Sequence, residues 1–199
     1  MINISNISNQ LPYIKFAKLY NEALAAKQQN IEAICISSFD DKNKESNSRF
    51  VNLKYIINDE WIFFSNYMGP KGSEFKNNPN ISAAFFWQQT NTQIRVKAQI
   101  YKSLSEFSDD HFKKRDKEKN ILAISSNQSK KIDTYEDFLD VFEQASKEIS
   151  DTTKRPDHWG GYSFRPYYFE FWQGHSKRIN KREGYILKGD NWENFFLQP

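Results

Sequence analysis

Residues 169–182 read Phe-Glu-Phe-Trp-Gln-Gly-His-Ser-Lys-Arg-Ile-Asn-Lys-Arg. The first half is an aromatic run typical of a β-strand, and a glycine turn signal separates it from a cationic second half. If that second half is extended, Arg178, Asn180 and Arg182 share one face of a strand. Guanidinium groups bind phosphates bidentately and Trp172 can cover a ring, so the pattern favours a flat, anionic, aromatic ligand. The alternative is a twisted edge strand protected by positive charge.

The composition predicts one globular domain spanning residues 1–199. The chain is 38% hydrophobic and 16% aromatic, which is enough to build a substantial core. It carries 28 Lys plus Arg against 25 Asp plus Glu, a net charge of +3. Such a balance favours local anion sites over a surface that coats nucleic acid, so we expect no nucleic-acid partner.

The cysteine content and the N-terminal sequence bear on the cellular location of the protein. Cys35 is the only cysteine, which excludes an intramolecular disulfide and leaves no Cys cluster for a structural zinc ion. Residues 1–10 lack the basic start and apolar core of a signal peptide. No apolar run approaches the ~20 residues that cross a bilayer. We therefore expect a soluble, cytoplasmic protein with no metal site and no membrane contact.

The first half of the chain predicts a helix followed by antiparallel strands. Pro12 suits a first helical turn, and apolar residues at helical spacing predict an amphipathic helix over 11–29, in an N-terminal arm of residues 1–30. Strands are predicted at 31–39, 49–57, 60–65, 81–87 and 93–104. The loop 66–72 leads into a short helix at 73–77, whose N-terminus is a natural anion site.

The next segment predicts a helix with a cationic side. A capping-box pattern at Ser103 starts a helix over 106–117. His111 and Arg115 are four residues apart on it, and Lys119 follows four residues later if the helix continues. Three potentially cationic groups on one side repel each other unless they meet solvent or an anion, and solvent is the simpler explanation.

The last third predicts another helix and a return to strands. Asp133 and Glu136 mark a helix start, and the apolar stripe that follows is predicted to face the core: Phe138, Val141, Phe142, Ala145 and Ile149. Strand 165–172 precedes a terminal hairpin of residues 185–188 and 192–197. The predicted fold is mainly β and antiparallel, closing as a barrel with peripheral helices.

Several segments carry a more specific signal through their order along the chain. They are Arg49-Phe-Val-Asn-Leu-Lys54, Phe63-Phe-Ser-Asn66 followed by Lys71, Asn77–Trp87 leading to Gln93, Gln128-Ser129, Trp159-Gly-Gly161, and Glu170-Phe-Trp172 to Arg182. Through them the chain, from about residue 31 to residue 199, resembles the pyridoxamine 5'-phosphate oxidase family. The resemblance implies a flavin mononucleotide (FMN)-binding split β-barrel that works as a homodimer, with residues 159–199 as dimerisation and active-site strands.

The resemblance also implies FMN as the cofactor and a set of binding residues. They are Arg49, Lys54, Phe64, Ser65, Lys71, Gln93, Gln128, Ser129, Trp172 and Arg182. The phosphate and ribityl chain would be held by Arg49, Ser65, Lys71, Gln128 and Ser129, and the isoalloxazine ring by Gln93, Trp172 and Arg182. These types suit the task, because a phosphate dianion needs several cationic or amide donors and an arginine near the ring can stabilise negative charge on reduction.

The implied reaction oxidises pyridoxamine or pyridoxine 5'-phosphate to pyridoxal 5'-phosphate, with molecular oxygen as acceptor. The implied binding residues for this small phosphorylated aromatic substrate are Lys54, His111, Arg115, Lys119 and Arg178. Arg178 would clamp the substrate ring and Asn180 would position it, so these two are the candidate catalytic residues.

The chain departs from the family pattern at several positions. Asn180 replaces a histidine, His111 and Lys119 replace a tyrosine and a serine and make the substrate-phosphate site more cationic, and Pro70 replaces an arginine beside Lys71. Two alternatives therefore stay open. One is a flavin oxidase acting on another anionic aromatic substrate, as in the phenazine-biosynthesis branch; the other is a noncatalytic flavin-binding protein.

Overall fold

The computed structural model describes residues 1–199, and its framework is a nine-stranded sheet. The strands are β1 Asn3–Ser5, β2 Ala33–Asp40, β3 Glu45–Ile57, β4 Glu60–Asn66, β5 Asn80–Trp87, β6 Thr92–Lys102, β7 Trp159–Gln173, β8 Lys181–Lys188 and β9 Asn191–Leu197. The helices are α1 Leu11–Ala25, α2 Pro70–Asn77, α3 Ser105–Lys113, α4 Lys117–Ser125 and α5 Tyr135–Glu148. None of these helices has the length and apolar character needed to cross a membrane.

The sheet closes into a barrel, as predicted from the sequence. Its order is β1-β3-β2-β5-β6-β7-β8-β9, and β4 pairs with both β3 and β7, so strands β2 to β7 form a closed ring. The long strand β7 makes this possible. Its first part, residues 159–164, pairs with β4, while its last part, residues 168–173, pairs with β8. The hairpin of β8 and β9 therefore extends from the barrel as a ribbon.

Aromatic and aliphatic side chains fill the core, and α1 covers one part of it. Phe16 of α1 is fully buried against Trp61, with ring centroids 4.7 Å apart. Tyr13 packs edge-on against Phe169 at 5.2 Å. The predicted amphipathic helix is confirmed, although α1 ends at Ala25 and not at Gln29.

Helix α2 begins at Pro70, earlier than the predicted start at Ser73. Proline favours the first helical position because its fixed φ suits a helix and its missing N–H would be unpaired there. Gly72 allows the helix to lie close to the preceding chain, since a Cβ at this position would stand 1.9 Å from the carbonyl oxygen of Tyr67. The loop and the helix together bring Lys71 to the inner side of the turn.

The helix predicted over 106–117 is interrupted. Helix α3 ends at Lys113 and α4 begins at Lys117. Ser103 does not cap α3, because its hydroxyl lies 2.7 Å from that of Ser163 on β7. His111 and Lys119 therefore lie on two different helices, and the prediction that they share one side of a single helix does not hold.

The apolar stripe of α5 does not face the core, so that prediction is wrong. No residue of α5 is buried, and Val141 is 46% exposed. The partly buried residues of the stripe are Phe138, Phe142, Ala145 and Ile149. Helix α5 packs on α4 and not on the barrel. Its apolar face therefore has a packing partner but is not buried in the core. Its capping box is formed by Thr134 and Asp137, not by the predicted Asp133 and Glu136.

The segment between β7 and β8 is a turn and not a strand. Arg178 has φ of 60°, and its N–H donates to the carbonyl of His175 at 2.9 Å. The side-chain oxygen of Asn180 accepts from the N–H of His175 at 3.0 Å. Because β8 begins only at Lys181, the segment is not extended throughout, and the condition under which Arg178, Asn180 and Arg182 would share one strand face is not met.

Candidate active site

A cavity of about 980 Å³ lies between β3, β4, α2 and the segment from α3 to Ser129. Ten of the residues implied by the resemblance line it: Arg49, Lys54, Phe64, Ser65, Lys71, His111, Arg115, Lys119, Gln128 and Ser129. They come from segments far apart in the sequence, which the barrel brings together. Five further implied residues do not line this cavity: Gln93, Trp172, Arg178, Asn180 and Arg182.

One end of the cavity is built around Lys71. This side chain is 8% exposed, and its Nζ donates to Ser65 Oγ at 2.9 Å and to Gln128 Oε1 at 3.4 Å. Burial, together with the nearby Arg49 guanidinium, lowers the pKa of Lys71. A desolvated ammonium group whose hydrogen-bond partners are neutral oxygens favours a bound anion. The donor set of ammonium, guanidinium, hydroxyl and amide groups fits the phosphate and ribityl chain of FMN.

Arg49 reaches this end from β3, where an acidic residue holds it. Its Nη2 donates to Glu74 Oε2 at 2.8 Å, and Asn47 Nδ2 donates to Glu74 Oε1 at 3.0 Å. Glu74 is 4% exposed and lines the cavity. Sequence reasoning missed Glu74, although its position three residues after Lys71 places both on one side of α2.

The other end of the cavity contains a stacked histidine. The ring of His111 lies on Phe64 with centroids 3.7 Å apart, and its Nδ1 is 2.9 Å from the hydroxyl of Tyr55. Burial, followed by the positive charges of Arg115 and Lys54, lowers the pKa of His111 to about 4. The imidazole is therefore neutral at neutral pH, and His111 does not make the site more cationic as predicted.

This buried neutral histidine predicts a pH-dependent stability. The unfolded chain binds a proton at His111 near its ordinary pKa, whereas the folded chain binds it only near pH 4. The wild type should therefore lose stability relative to His111→Gln as the pH falls from about 6.5 towards 4, with no such divergence above that range. Urea denaturation at several pH values measures this difference. His175→Gln, at an exposed turn histidine, is the control, and parallel curves for His111→Gln and wild type would contradict the prediction.

Arg115 is the fixed cation at this end. Its guanidinium carbon lies 4.5 Å from the centre of the Trp159 ring, and its Nη1 donates to Asn120 Oδ1 at 3.0 Å. Asn120 is buried, which limits the movement of the arginine. Lys119 instead forms an exposed ion pair with Asp116 at 2.5 Å. Of the three groups predicted to form one cationic side, Arg115 is the one that presents a fixed positive charge.

A second cluster lies on the barrel wall, and we call Gln93, Trp172 and Arg182 the ring row. Gln93 on β6 is opposite Trp172 on β7, which is opposite Arg182 on β8. Directly opposed residues project from the same face of a sheet, so the three side chains are neighbours. Glu170 fixes the arginine, since its Oε1 accepts from Arg182 Nε at 2.9 Å and from Nη2 at 2.8 Å.

A solved structure shares this architecture. PhzG from Burkholderia lata 383, determined in complex with tetrahydrophenazine-1-carboxylic acid, aligns with a TM-score of 0.87 over 98% of this chain and 100% of that chain, at 20% identity. At that identity the likeness concerns the fold. The closed barrel and its C-terminal ribbon place the chain in the class of split β-barrel proteins.

Sequence comparison narrows the class. Pyridoxine/pyridoxamine 5'-phosphate oxidases from Cytophaga hutchinsonii and Leptospira interrogans are 35% and 31% identical, each over 94% of this chain and 88% of the relative. Residues 159–199 match the family described as pyridoxine 5'-phosphate oxidase C-terminal dimerisation region. The chain belongs to the pyridoxine/pyridoxamine 5'-phosphate oxidase family, whose members are FMN-dependent oxidoreductases.

Proposed function

We propose that this protein oxidises pyridoxamine or pyridoxine 5'-phosphate to pyridoxal 5'-phosphate, with FMN as cofactor and molecular oxygen as acceptor. One observation carries the proposal: a single cavity contains two separate cationic centres. Lys71 and Arg49 form one, and Arg115 with Lys54 near His111 forms the other. Two centres suit two phosphates, one on the cofactor and one on the substrate.

FMN, when bound, would supply the two-electron redox chemistry that links oxidation of the substrate to reduction of oxygen. The protein supplies position and charge. Arg115, held over Trp159, and Lys54 would bind the substrate phosphate, while neutral His111 contributes a hydrogen bond. In this proposal Arg178 covers the substrate ring. Asn180 has a positioning role, because its hydrogen bond to the backbone of His175 holds the turn that carries Arg178.

We further propose that the enzyme is a homodimer with active sites shared between subunits. The ring row does not line the cavity of its own chain. It adjoins Phe86, which lies opposite Gln93 and is 57% exposed, and it is partly contained in the matched dimerisation region. In a two-fold dimer each subunit presents the same surface to the other, so one chain's ring row can complete the partner's cavity.

A second candidate is an FMN oxidase of another anionic aromatic substrate. It is favoured by neutral His111 and by Asn180, which is engaged with the backbone of its own turn. A third candidate is a noncatalytic flavin-binding protein, which would be yellow but would not be reduced by any substrate.

Assay of the purified protein with pyridoxine 5'-phosphate decides among the three candidates. We expect pyridoxal 5'-phosphate and peroxide, whereas an FMN-loaded dimer that forms neither product would overturn the assignment, and anaerobic bleaching by another compound would support the second candidate.

We also propose a cytoplasmic location. Cys35 is a free thiol, which suits a reducing compartment. Cell fractionation with an antibody against the chain tests this, and recovery of the protein from a membrane or secreted fraction would contradict it.

A further inference from the structure

Glu74 is an acidic residue in the wall of a cavity otherwise suited to anions. Its carboxylate accepts hydrogen bonds from Arg49 Nη2 at 2.8 Å, from Asn47 Nδ2 at 3.0 Å and from the hydroxyl of Ser38. With 4% of the residue exposed, this charge has little contact with water. None of the steps proposed above uses it.

The position of Glu74 has two opposite electrostatic consequences. It holds the guanidinium of Arg49 in place together with Ser38, whose hydroxyl accepts from Arg49 Nη1 and donates to Glu74. It also compensates the charge of Arg49, so Lys71 remains as the uncompensated cation of this end. At low effective dielectric a carboxylate beside a phosphate site repels the phosphate appreciably.

We propose that Glu74 sets the charge of the phosphate-binding end and thereby limits the affinity of the protein for FMN. The inference rests on the proposed FMN site. The carboxylate orients Arg49 at the expense of binding strength, so the site holds a phosphate dianion less tightly than its cations alone permit. Because the repulsion acts on the phosphate, affinity for riboflavin, which lacks that group, should not depend on the charge of Glu74.

The test compares FMN and riboflavin binding to apo-protein by quenching of flavin fluorescence. Glu74→Gln removes the charge and keeps an acceptor for Arg49, so FMN should bind about tenfold more tightly while riboflavin affinity stays unchanged. Glu118→Gln, at an exposed carboxylate on α4, is the matched control and should change neither affinity.

Other outcomes are decisive as well. Unchanged or weaker FMN binding by folded Glu74→Gln would overturn the inference and leave Glu74 as a support for Arg49. Equal gains for FMN and riboflavin would also overturn it, since the effect would not depend on the phosphate. If Glu74→Gln does not fold, Glu74→Met has a similar volume and should change the FMN-to-riboflavin affinity ratio in the same direction. Failure of the wild type to bind FMN would instead reject the proposed site itself.

Discussion

Replacing Lys71 by methionine is expected to weaken FMN binding about a hundredfold. Removing one partner of a buried, hydrogen-bonded charge pair costs about 2–5 kcal/mol, and each factor of ten in affinity corresponds to about 1.4 kcal/mol. Lys71 would meet the condition with the FMN phosphate as its charged partner, because it is nearly buried and its hydrogen-bond partners within the chain, Ser65 and Gln128, are neutral. Titration of apo-protein with FMN measures the change.

The control for this prediction lies on the same helix. Lys76 of α2 is exposed, so Lys76→Met changes the net charge equally without touching the cavity. We expect its FMN affinity to stay within about twofold of wild type, because exposed charges are screened by solvent and salt. Equal losses in the two variants would mean that FMN responds to the overall charge and not to a site at Lys71.

Replacing Glu170 by alanine is expected to lower the free energy of unfolding by about 2–3 kcal/mol. Its carboxylate is 3% exposed and accepts from Arg95 at 2.9 Å and from two nitrogens of Arg182. Breaking a fully buried pair costs about 3–5 kcal/mol, but the arginine side chains are 43% and 28% exposed, so water recovers part of the loss. Denaturation in urea measures the difference.

A double variant separates two causes of this destabilisation: the uncompensated arginine charge and the loss of contacts made by Glu170. The double variant Glu170→Ala/Arg182→Ala should be less destabilised than the sum of the single variants, because it leaves one uncompensated arginine and not two; the one that remains, Arg95, is the more exposed of the pair. Glu193→Ala removes an exposed ion pair with Lys188 and should cost at most about 0.5 kcal/mol. A Glu170→Ala variant as stable as Glu193→Ala would show that the two arginines do not depend on Glu170.

Much of the fold could be predicted from the sequence because its signals are local. The residue pattern of short segments predicted the barrel strands, and it also predicted the terminal hairpin of residues 185–188 and 192–197. The errors arise where tertiary packing determines the outcome. The apolar stripe of α5 has the spacing of a helix that packs on a core. Whether such a face packs on the barrel or on another helix depends on the position of α5 in the fold, which the local sequence does not show.

The candidate site could be predicted only in part, for a similar reason. The resemblance identified the ten cavity-lining residues. It did not identify the neighbouring groups that determine the net charge and the hydrogen bonds of those residues. Glu74 meets Arg49 across 25 residues of sequence and Tyr55 meets His111 across 56. Such contacts depend on strand register and helix placement, so the neutrality of His111 follows from the structure and not from its residue type.

The most direct test of the account asks whether each active site is shared between two chains. Hybrid dimers carrying Lys71→Met in one subunit and Arg182→Ala in the other can be purified with two affinity tags. If the cavity of one chain uses the ring row of its partner, one site contains both substitutions and the other contains neither. We therefore predict that the hybrid recovers about half of the wild-type activity, although each parent dimer is nearly inactive. A hybrid as inactive as its parents would contradict the shared site.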